Sequence, residues 1–379
     1  MKKGNQEKDT LDRSRGKSRF IYQQLAEQLR KEIEEGGLKP GDTVPSMDTL
    51  AERHQVNKAT VRQALAELTA RGFVYSIPAK GTFVADPARR QREDISKRSL
   101  CIGWISRVSG HSKTGRYHTE LMDAVRHALN QIRGHLIVLT TGNLDAASFC
   151  KVVGEAHLDG AILVGPFFSE PIKMLGESGL PCVLIDDACR GGRIDSILLD
   201  NRLGAFQAIS HLLSLGHQRI ALITGPSDWK ITQERMAGAQ EAFTEAGIPE
   251  KDITILPSDF SPEGGHAAFV ELLKNTPRPT AVFCFNDEMA AGALHALYEH
   301  SNLKVPDDIS IMGFDDISWT TMTHPPLTTI HVDRERMAKE AVDRLQSTMT
   351  EKDHLPFTTV LTTKLVVRKS TGPSVPPGG

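Results

Sequence analysis

The chain has 379 residues, 39% of them apolar and 24% charged, with a formal net charge of −2 at pH 7. That length accommodates one large domain beside a small one, and the balance excludes a wholly disordered chain. No apolar run approaches the roughly 20 residues that a bilayer span needs, which excludes a helical membrane protein.

The net charge conceals an asymmetry. Residues 1 to 98 hold 9 Lys and 11 Arg against 14 acidic residues, whereas the remainder holds 25 basic against 33 acidic. A polyanion partner is therefore expected for the front alone, and the acidic remainder should stand away from it. Residues 1 to 19 are polar and without periodicity, and are expected to form a disordered basic tail. They also lack the apolar core of a signal peptide, from which a cytoplasmic location is expected.

In chain order, Ile21, Leu25, Leu29 and Ile33 recur every four residues and predict a supporting helix that stops at Gly36-Gly37. Ser46, after Pro45, is a natural N-cap for a short second helix with Leu50 and Ala51 on its apolar side. The chain breaks at His54-Gln55-Val56 and restarts behind Asn57, a second natural cap, so that a third helix begins at Lys58. Val61, Ala64, Leu65 and Leu68 lie at i, i+3, i+4 and i+7 and form one buried stripe, which leaves Lys58, Thr60 and Arg62 on other faces near the helix start. Such a helix suits a major groove, although exposed cations on an amphipathic helix are more commonly a solvated face. Gly72 stops it. Phe73 to Ile77 and Thr82 to Ala85 then predict a hairpin around Pro78-Ala79-Lys80-Gly81, a wing with a lysine at its tip.

That order, together with Leu38-Lys39-Pro40-Gly41-Asp42-Thr43-Val44-Pro45-Ser46, Thr60-Val61-Arg62-Gln63-Ala64-Leu65 and Gly81-Thr82-Phe83-Val84, resembles the GntR-type winged helix over residues 20 to 85. The resemblance implies operator contacts by Lys58, Thr60, Arg62 and Lys80, with Ser46, Gly81 and Thr82 nearby. Two positions depart from the family pattern. Asp48 stands where an arginine is common, and Ala79 where a glycine is common at the wing tip. An aspartate cannot donate to a phosphate, so that contact must differ here.

Residues 86 to 98 form a charged linker. From residue 99 short apolar runs alternate with amphipathic stretches. Strands are predicted at 100–105, 136–139, 161–164 and 183–185, with helices at 117–131 and 145–156. A second series follows, with strands at 220–223, 253–256, 281–285 and 310–312 and helices at 233–246, 262–274 and 287–300. Such alternation predicts an α/β architecture of two lobes, each with a parallel sheet buried on both faces. The five cysteines (Cys101, Cys150, Cys182, Cys189, Cys284) are scattered and read as buried thiols; neither CxxC nor Cys/His zinc spacing occurs, and neither metal nor cofactor is expected. Residues 369 to 379 are expected to be a disordered tail.

Several segments of this region resemble the LacI-type effector-binding domain, which has the periplasmic-binding-protein fold. They include Leu158-Asp159-Gly160-Ala161-Ile162-Leu163, Asp200-Asn201-Arg202-Leu203-Gly204-Ala205, Phe285-Asn286-Asp287-Glu288-Met289-Ala290, residues 305 to 317 and Pro326-Leu327-Thr328-Thr329-Ile330. Agreement extends over residues 99 to 368. A GntR-type head joined to such a domain is also the plan of arabinose-responsive repressors.

In open parallel sheets ligands lie beyond the carboxyl ends of the strands. Asp186, Asn286, Asp287 and Asp315 follow apolar runs directly, and Arg235 is expected to open a helix behind another strand end. Carboxylates, an amide and a guanidinium can pair with adjacent hydroxyls while an aromatic such as Phe260 covers an apolar face. The resemblance implies Arg235, Asn286 and Asp315 as main effector contacts and Asp186 and Phe260 as secondary ones. The bland alternatives are a surface salt bridge for Arg235 and helix capping for Asn286 and Asp315, with Asp287 the preferred cap. The loop from Ser106 to Arg116, flanked by Trp104 and Tyr117, resembles the family poorly. Arg107, His111 and His118 are read as part of it, which keeps an anionic effector such as a sugar phosphate open.

The family implies a repressor, a homodimer joined through residues 99 to 368, that binds double-stranded operator DNA and a sugar-like effector and does not associate with membranes. A two-lobed α/β enzyme is the alternative, but GxSxG, Walker A, GxGxxG and HExxH are all missing. An exported sugar binder would leave the basic front unexplained.

Overall fold

The computed structural model describes residues 21–70, 72–77, 80–86, 99–106, 115–142, 144–165, 169–188, 194–351 and 354–374. The chain divides into two compact units, with the break between Ser99 and Leu100.

The first unit holds α1 (Ile21–Glu34), α2 (Met47–His54), α3 (Lys58–Ala70) and a hairpin of β1 (Val74–Ile77) and β2 (Gly81–Val84). The predicted periodicities become its core: Leu25, Leu29 and Ile33 from α1, Leu50 from α2, and Val61, Ala64, Leu65 and Leu68 from α3 are all buried. Both caps form as expected. Ser46 Oγ accepts from the Thr49 amide at 3.2 Å, and Asn57 Oδ1 accepts from the Thr60 amide at 2.7 Å. Between them Gln55 turns the chain with φ +53, giving a helix-turn-helix. The first hairpin strand starts one residue later than expected and the second lies one residue earlier, with Val74 opposite Val84 and Ile77 opposite Gly81. Thr43 adds a bridge to Phe83, so the wing is anchored to the loop before α2. Pro78 and Ala79 lie outside the described residues, and so does Arg71.

In the second unit, one lobe carries a six-stranded parallel sheet. Its strands are β3 (Leu100–Ser106), β4 (Gly134–Thr140), β5 (Gly160–Val164), β6 (Cys182–Ile185), β7 (Asp195–Leu199) and β13 (Thr358–Leu361), in the order β13-β7-β6-β5-β3-β4. All five residues of β5 are buried, as a central strand covered on both faces requires. Helices α4 (Arg116–Asn130), α5 (Ala146–Glu155), α6 (Ser169–Glu177) and α11 (Arg334–Thr350) cover it. The other lobe has four parallel strands, β8 (Ile220–Thr224), β9 (Ile253–Pro257), β10 (Ala281–Cys284) and β11 (Ser310–Met312), in the order β11-β10-β8-β9. Its helices are α7 (Asn201–Ser214), α8 (Lys230–Glu245), α9 (Pro262–Leu272) and α10 (Asp287–His300). A short antiparallel pair, β12 (Thr329–His331) with β14 (Lys364–Val366), lies beside them.

Every predicted strand of both series is present. The chain changes lobes three times, between Leu199 and Asn201, between His331 and Arg334, and between Leu361 and Lys364. The segments that flank those crossings include β7, β12, β13, β14 and α11, which sequence periodicity did not single out. Capping explains where the helices begin: Asp145, Asp200, Ser261, Asn286 and Asp333 each accept from the amide three residues on. Of the described cysteines, Cys182 and Cys284 are buried, while Cys101 and Cys150 are half-buried.

Candidate functional site

Two polar surfaces merit attention, one in each unit. On the first, Lys58 and Arg62 of α3 are exposed, Ser46 is exposed at the start of α2, and Lys80 and Gly81 are exposed at the wing. Thr60 and Thr82 are half-buried, their hydroxyls held by Asn57 Oδ1 at 2.9 Å and Ser76 Oγ at 3.1 Å. Asp48 turns out to be the ion-pair partner of Lys58, so the residue that departs from the family pattern acts on a neighbouring cation. The pair is exposed on both sides, and such pairs add little to stability.

The second surface lies beyond the carboxyl ends of the strands of the two-lobed unit. On the six-stranded lobe, the Tyr117 hydroxyl at the start of α4 donates to Asp186 Oδ2 at 2.8 Å, directly after β6. Asp186 is buried, and its Oδ1 has no partner among the described residues. Burial pushes its carboxyl up to about 6, against the pull of the Tyr117 hydrogen bond and the Arg235 charge.

On the four-stranded lobe Arg235 occupies the second turn of α8 rather than opening that helix, which begins at Lys230 because the β8–α8 loop is short. It is 4% exposed, which rules out the surface salt bridge. Its Nε donates to Asn201 Oδ1 at 3.0 Å, Nη1 donates to the Phe285 carbonyl, and Nη2 lies 3.5 Å from Asp315 Oδ1. The guanidinium stacks 3.6 Å from the centre of the Phe314 ring. Burial also raises the Asp315 carboxyl above the ordinary aspartate range, opposed by Arg235 and Arg334.

Asn286, not Asp287, caps α10: its Oδ1 accepts from the Met289 amide at 2.8 Å while Nδ2 donates to the Phe260 carbonyl at 2.9 Å. Asp287 faces inward instead, accepting from the Thr329 hydroxyl at 2.6 Å and the Ile317 amide at 3.0 Å, and so ties α10 to the loop that carries Asp315. The asparagine takes the cap because its amide can also hold the neighbouring loop, which a carboxylate cannot do. Phe260 lies over the backbone of Gly225, where any Cβ would fall 2.0 Å from the ring, and it meets Trp229 at 5.6 Å between centroids.

Backbone strain points to the same place. Among the described residues seven non-glycine positions have positive φ, and Asp186 (+62), Phe260 (+65) and Asp315 (+110) are three of them. Left-handed non-glycine residues are uncommon and gather where structure serves function.

The structure thus brings Asp186, Arg235, Phe260, Asn286 and Asp315 to the strand ends of the two lobes. It places Tyr117, which flanks the first strand-end loop in the sequence, against Asp186, and it adds Trp229 and Asn201, of which Asn201 lies within a segment already notable in the sequence. Arg107 and His111 lie outside the described residues. His118 belongs to α4 rather than to the loop, because the helix starts at Arg116; its mostly buried imidazole is lowered to about 4 by burial. Across the lobes Glu288 Oε1 accepts from the Arg116 amide at 2.8 Å, and Glu120 Oε1 accepts from the Ser318 amide at 3.0 Å.

A winged helix followed in the chain by a two-lobed α/β unit with buried polar groups at its strand ends defines a DNA-binding regulator with a small-molecule sensor. Residues 21–84 match the family model of the gntR-type bacterial regulatory proteins, and residues 209–371 match the periplasmic binding protein-like domain. The chain is 33% identical over 331 residues to the HTH-type transcriptional regulator CelR of Thermobifida fusca, covering 83% of this chain and 91% of that one. It is also 33% identical over 242 residues to the HTH-type transcriptional repressor PurR of Photobacterium profundum, covering 62% and 72% respectively. A LacI family transcriptional regulator from Enterococcus faecium, crystallised with bound ribose, superposes with a TM-score of 0.66 at 26% identity, covering 72% of this chain and 99% of that one. The chain belongs to the bacterial HTH-type transcriptional regulators, with a GntR-type DNA-binding domain and a LacI-type effector domain. Among the described residues no helix is long and apolar enough to cross a membrane.

Proposed function

We propose that the protein is a cytoplasmic homodimeric repressor whose winged helices grip an inverted-repeat operator and whose interlobe cleft takes a sugar or a related polyhydroxyl metabolite. It is not an enzyme: the polar groups of the cleft suit holding hydroxyls, and the relatives are regulators. The observation that carries the reading is the Oδ1 of buried Asp186, which has no partner among the described residues, at the same strand ends as the Arg235–Asp315 pair. Buried acceptors are stabilised by donors, and adjacent hydroxyls provide them. Phe260 and Trp229 offer the apolar face that a sugar ring needs. The plan shared with arabinose-responsive repressors and the ribose held by the Enterococcus faecium neighbour favour pentoses as the first candidates.

Ser46, Lys58, Thr60, Arg62, Lys80, Gly81 and Thr82 form the operator surface. Effector binding shifts the balance between open and closed lobes by its differential affinity for the two, and this changes the placement of the two heads in the dimer. A thermal-shift screen of pentoses, hexoses and their phosphates identifies the effector, because a ligand of the native state raises its stability by mass action. Operator anisotropy then separates the tasks. Arg62→Ala should weaken operator binding while the thermal response to effector persists, and Asp186→Asn should weaken the effector response while operator binding persists. If each substitution in folded protein harmed both activities equally, the division would fail.

A further inference from the structure

On the four-stranded lobe, away from the strand ends, α9 and α10 bring three histidines around one glutamate. His266 Nε2 lies 3.0 Å from Glu299 Oε2, and His300 Nε2 lies 3.6 Å from the same oxygen. The donor atoms of His266, Glu299 and His300 all fall within 4.8 Å of one another. The ring of His295 is 5.3 Å from that of His266, and the ring of His300 is 5.5 Å from it. We propose that His266, Glu299 and His300 form a surface site for a divalent transition metal of the zinc type, with water as the fourth ligand and His295 able to join.

Donor geometry carries the argument. In a tetrahedral site with Zn–N and Zn–O bonds of about 2.0 to 2.2 Å, neighbouring donors are about 3.3 Å apart. The two observed separations from Glu299 bracket that spacing, so a cation entering between the rings requires only rotamer adjustments. Imidazole nitrogens with one carboxylate oxygen are a donor set that suits zinc, copper, nickel and cobalt rather than magnesium or calcium. The supporting helices are fixed relative to each other. At Gly292 of α10 a Cβ would fall 1.9 Å from the Pro262 carbonyl oxygen of α9, so the two backbones are in direct contact there. His266 pairs with Glu299, and this hydrogen bond, with the nearby histidines, holds the Glu299 carboxyl below its ordinary range. Cysteine or histidine spacing in the sequence could not reveal the site, because His266 comes from a different helix than its partners.

Bound metal would clamp α9 to α10. Those helices begin beside Phe260 and at Asn286, so occupancy should stiffen one wall of the cleft.

The test is a titration of the untagged full-length protein with Co²⁺, followed by visible absorption and displacement with Zn²⁺. The expected result is one equivalent of Co²⁺ per chain, ligand-field bands of tetrahedral intensity, no thiolate charge-transfer band, and a rise in melting temperature. Since loss of an outer-shell partner alone costs about tenfold to a hundredfold in metal affinity, His266→Ala and His300→Ala should each weaken binding by more than a hundredfold. His135→Ala, an exposed histidine on the other lobe, should change nothing. A thiolate band, or cobalt binding equal to that of the parent in both folded variants, would overturn the proposal. Neither outcome bears on the effector reading, which rests on other residues.

Discussion

The two polar surfaces of this protein are built on opposite terms. On the winged helix, Lys58, Arg62 and Lys80 are exposed, and the pairing between Lys58 and Asp48 is between solvated groups. In the sensor, Arg235, Asp186, Asn286 and Asp315 are buried, and each leans on others. An exposed cation can be changed without disturbing its neighbours, so the proposed operator surface can be retuned position by position. A buried network fixes all its members together, which confers selectivity and makes single changes costly.

Breaking that contrast begins with the largest effect. Arg235→Met leaves Asp315 buried without its cation, and chemical denaturation should record a loss of about 3 to 5 kcal/mol. Since the Asp315 carboxyl is already raised by burial, protonation relieves the defect: the loss should be smallest near pH 5 and grow as pH increases. A comparable loss at every pH would show that packing against Phe314, not charge, is what Arg235 provides.

Next comes Asp186→Asn, which keeps shape and the contact with Tyr117 but removes the charge. Effector affinity measured by calorimetry should fall by about tenfold to a hundredfold, the range for a hydrogen bond to a charged group. Parental affinity in the variant would remove Asp186 from the site.

The pH profile of the parent protein sharpens the same point. Hydroxyl donors stabilise the ionised carboxylate, so effector affinity should be flat above about pH 6 and decline by up to tenfold per unit below it. For the free protein the sign is reversed. A carboxyl raised in the folded state gives a contribution that is fully present below the unfolded value near 3.8 and lost as pH rises through about 6. Affinity that increased towards acid would contradict this assignment.

The smallest expected effect lies on the other surface. Asp48→Asn frees Lys58 and removes a negative charge facing the duplex, and operator affinity should improve by roughly twofold to fivefold, less at high salt. Weaker binding would mean that Asp48 positions Lys58 rather than occupying it.

Much of the architecture was legible because local patterns encode it. The i, i+3, i+4, i+7 stripe of α3 is buried as read, and each apolar run of both lobes is a strand, with β4, β9 and β11 at sheet edges. What the sequence obscured depends on distant partners. Strand β7, which the sequence pattern does not single out, begins with Asp195 and Ser196; both are buried, and Asp195 receives His354 and the Phe357 amide from the far end of the chain. Capping was assigned to Asp287, since either residue of the Asn286-Asp287 pair can cap. Only the Phe260 carbonyl and Thr329, remote in sequence, settle which one does. Arg235 was identified as a site residue, but its depth depends on Asn201, Phe285 and Phe314 closing over it.

The three chain crossings between the lobes have a mechanical consequence. A single tether would let one lobe spin or slide freely against the other, whereas three side by side oppose both and leave bending across the strip that they form as the easiest motion. A small ligand therefore needs to bias only a single angular coordinate to move a lobe many times its mass.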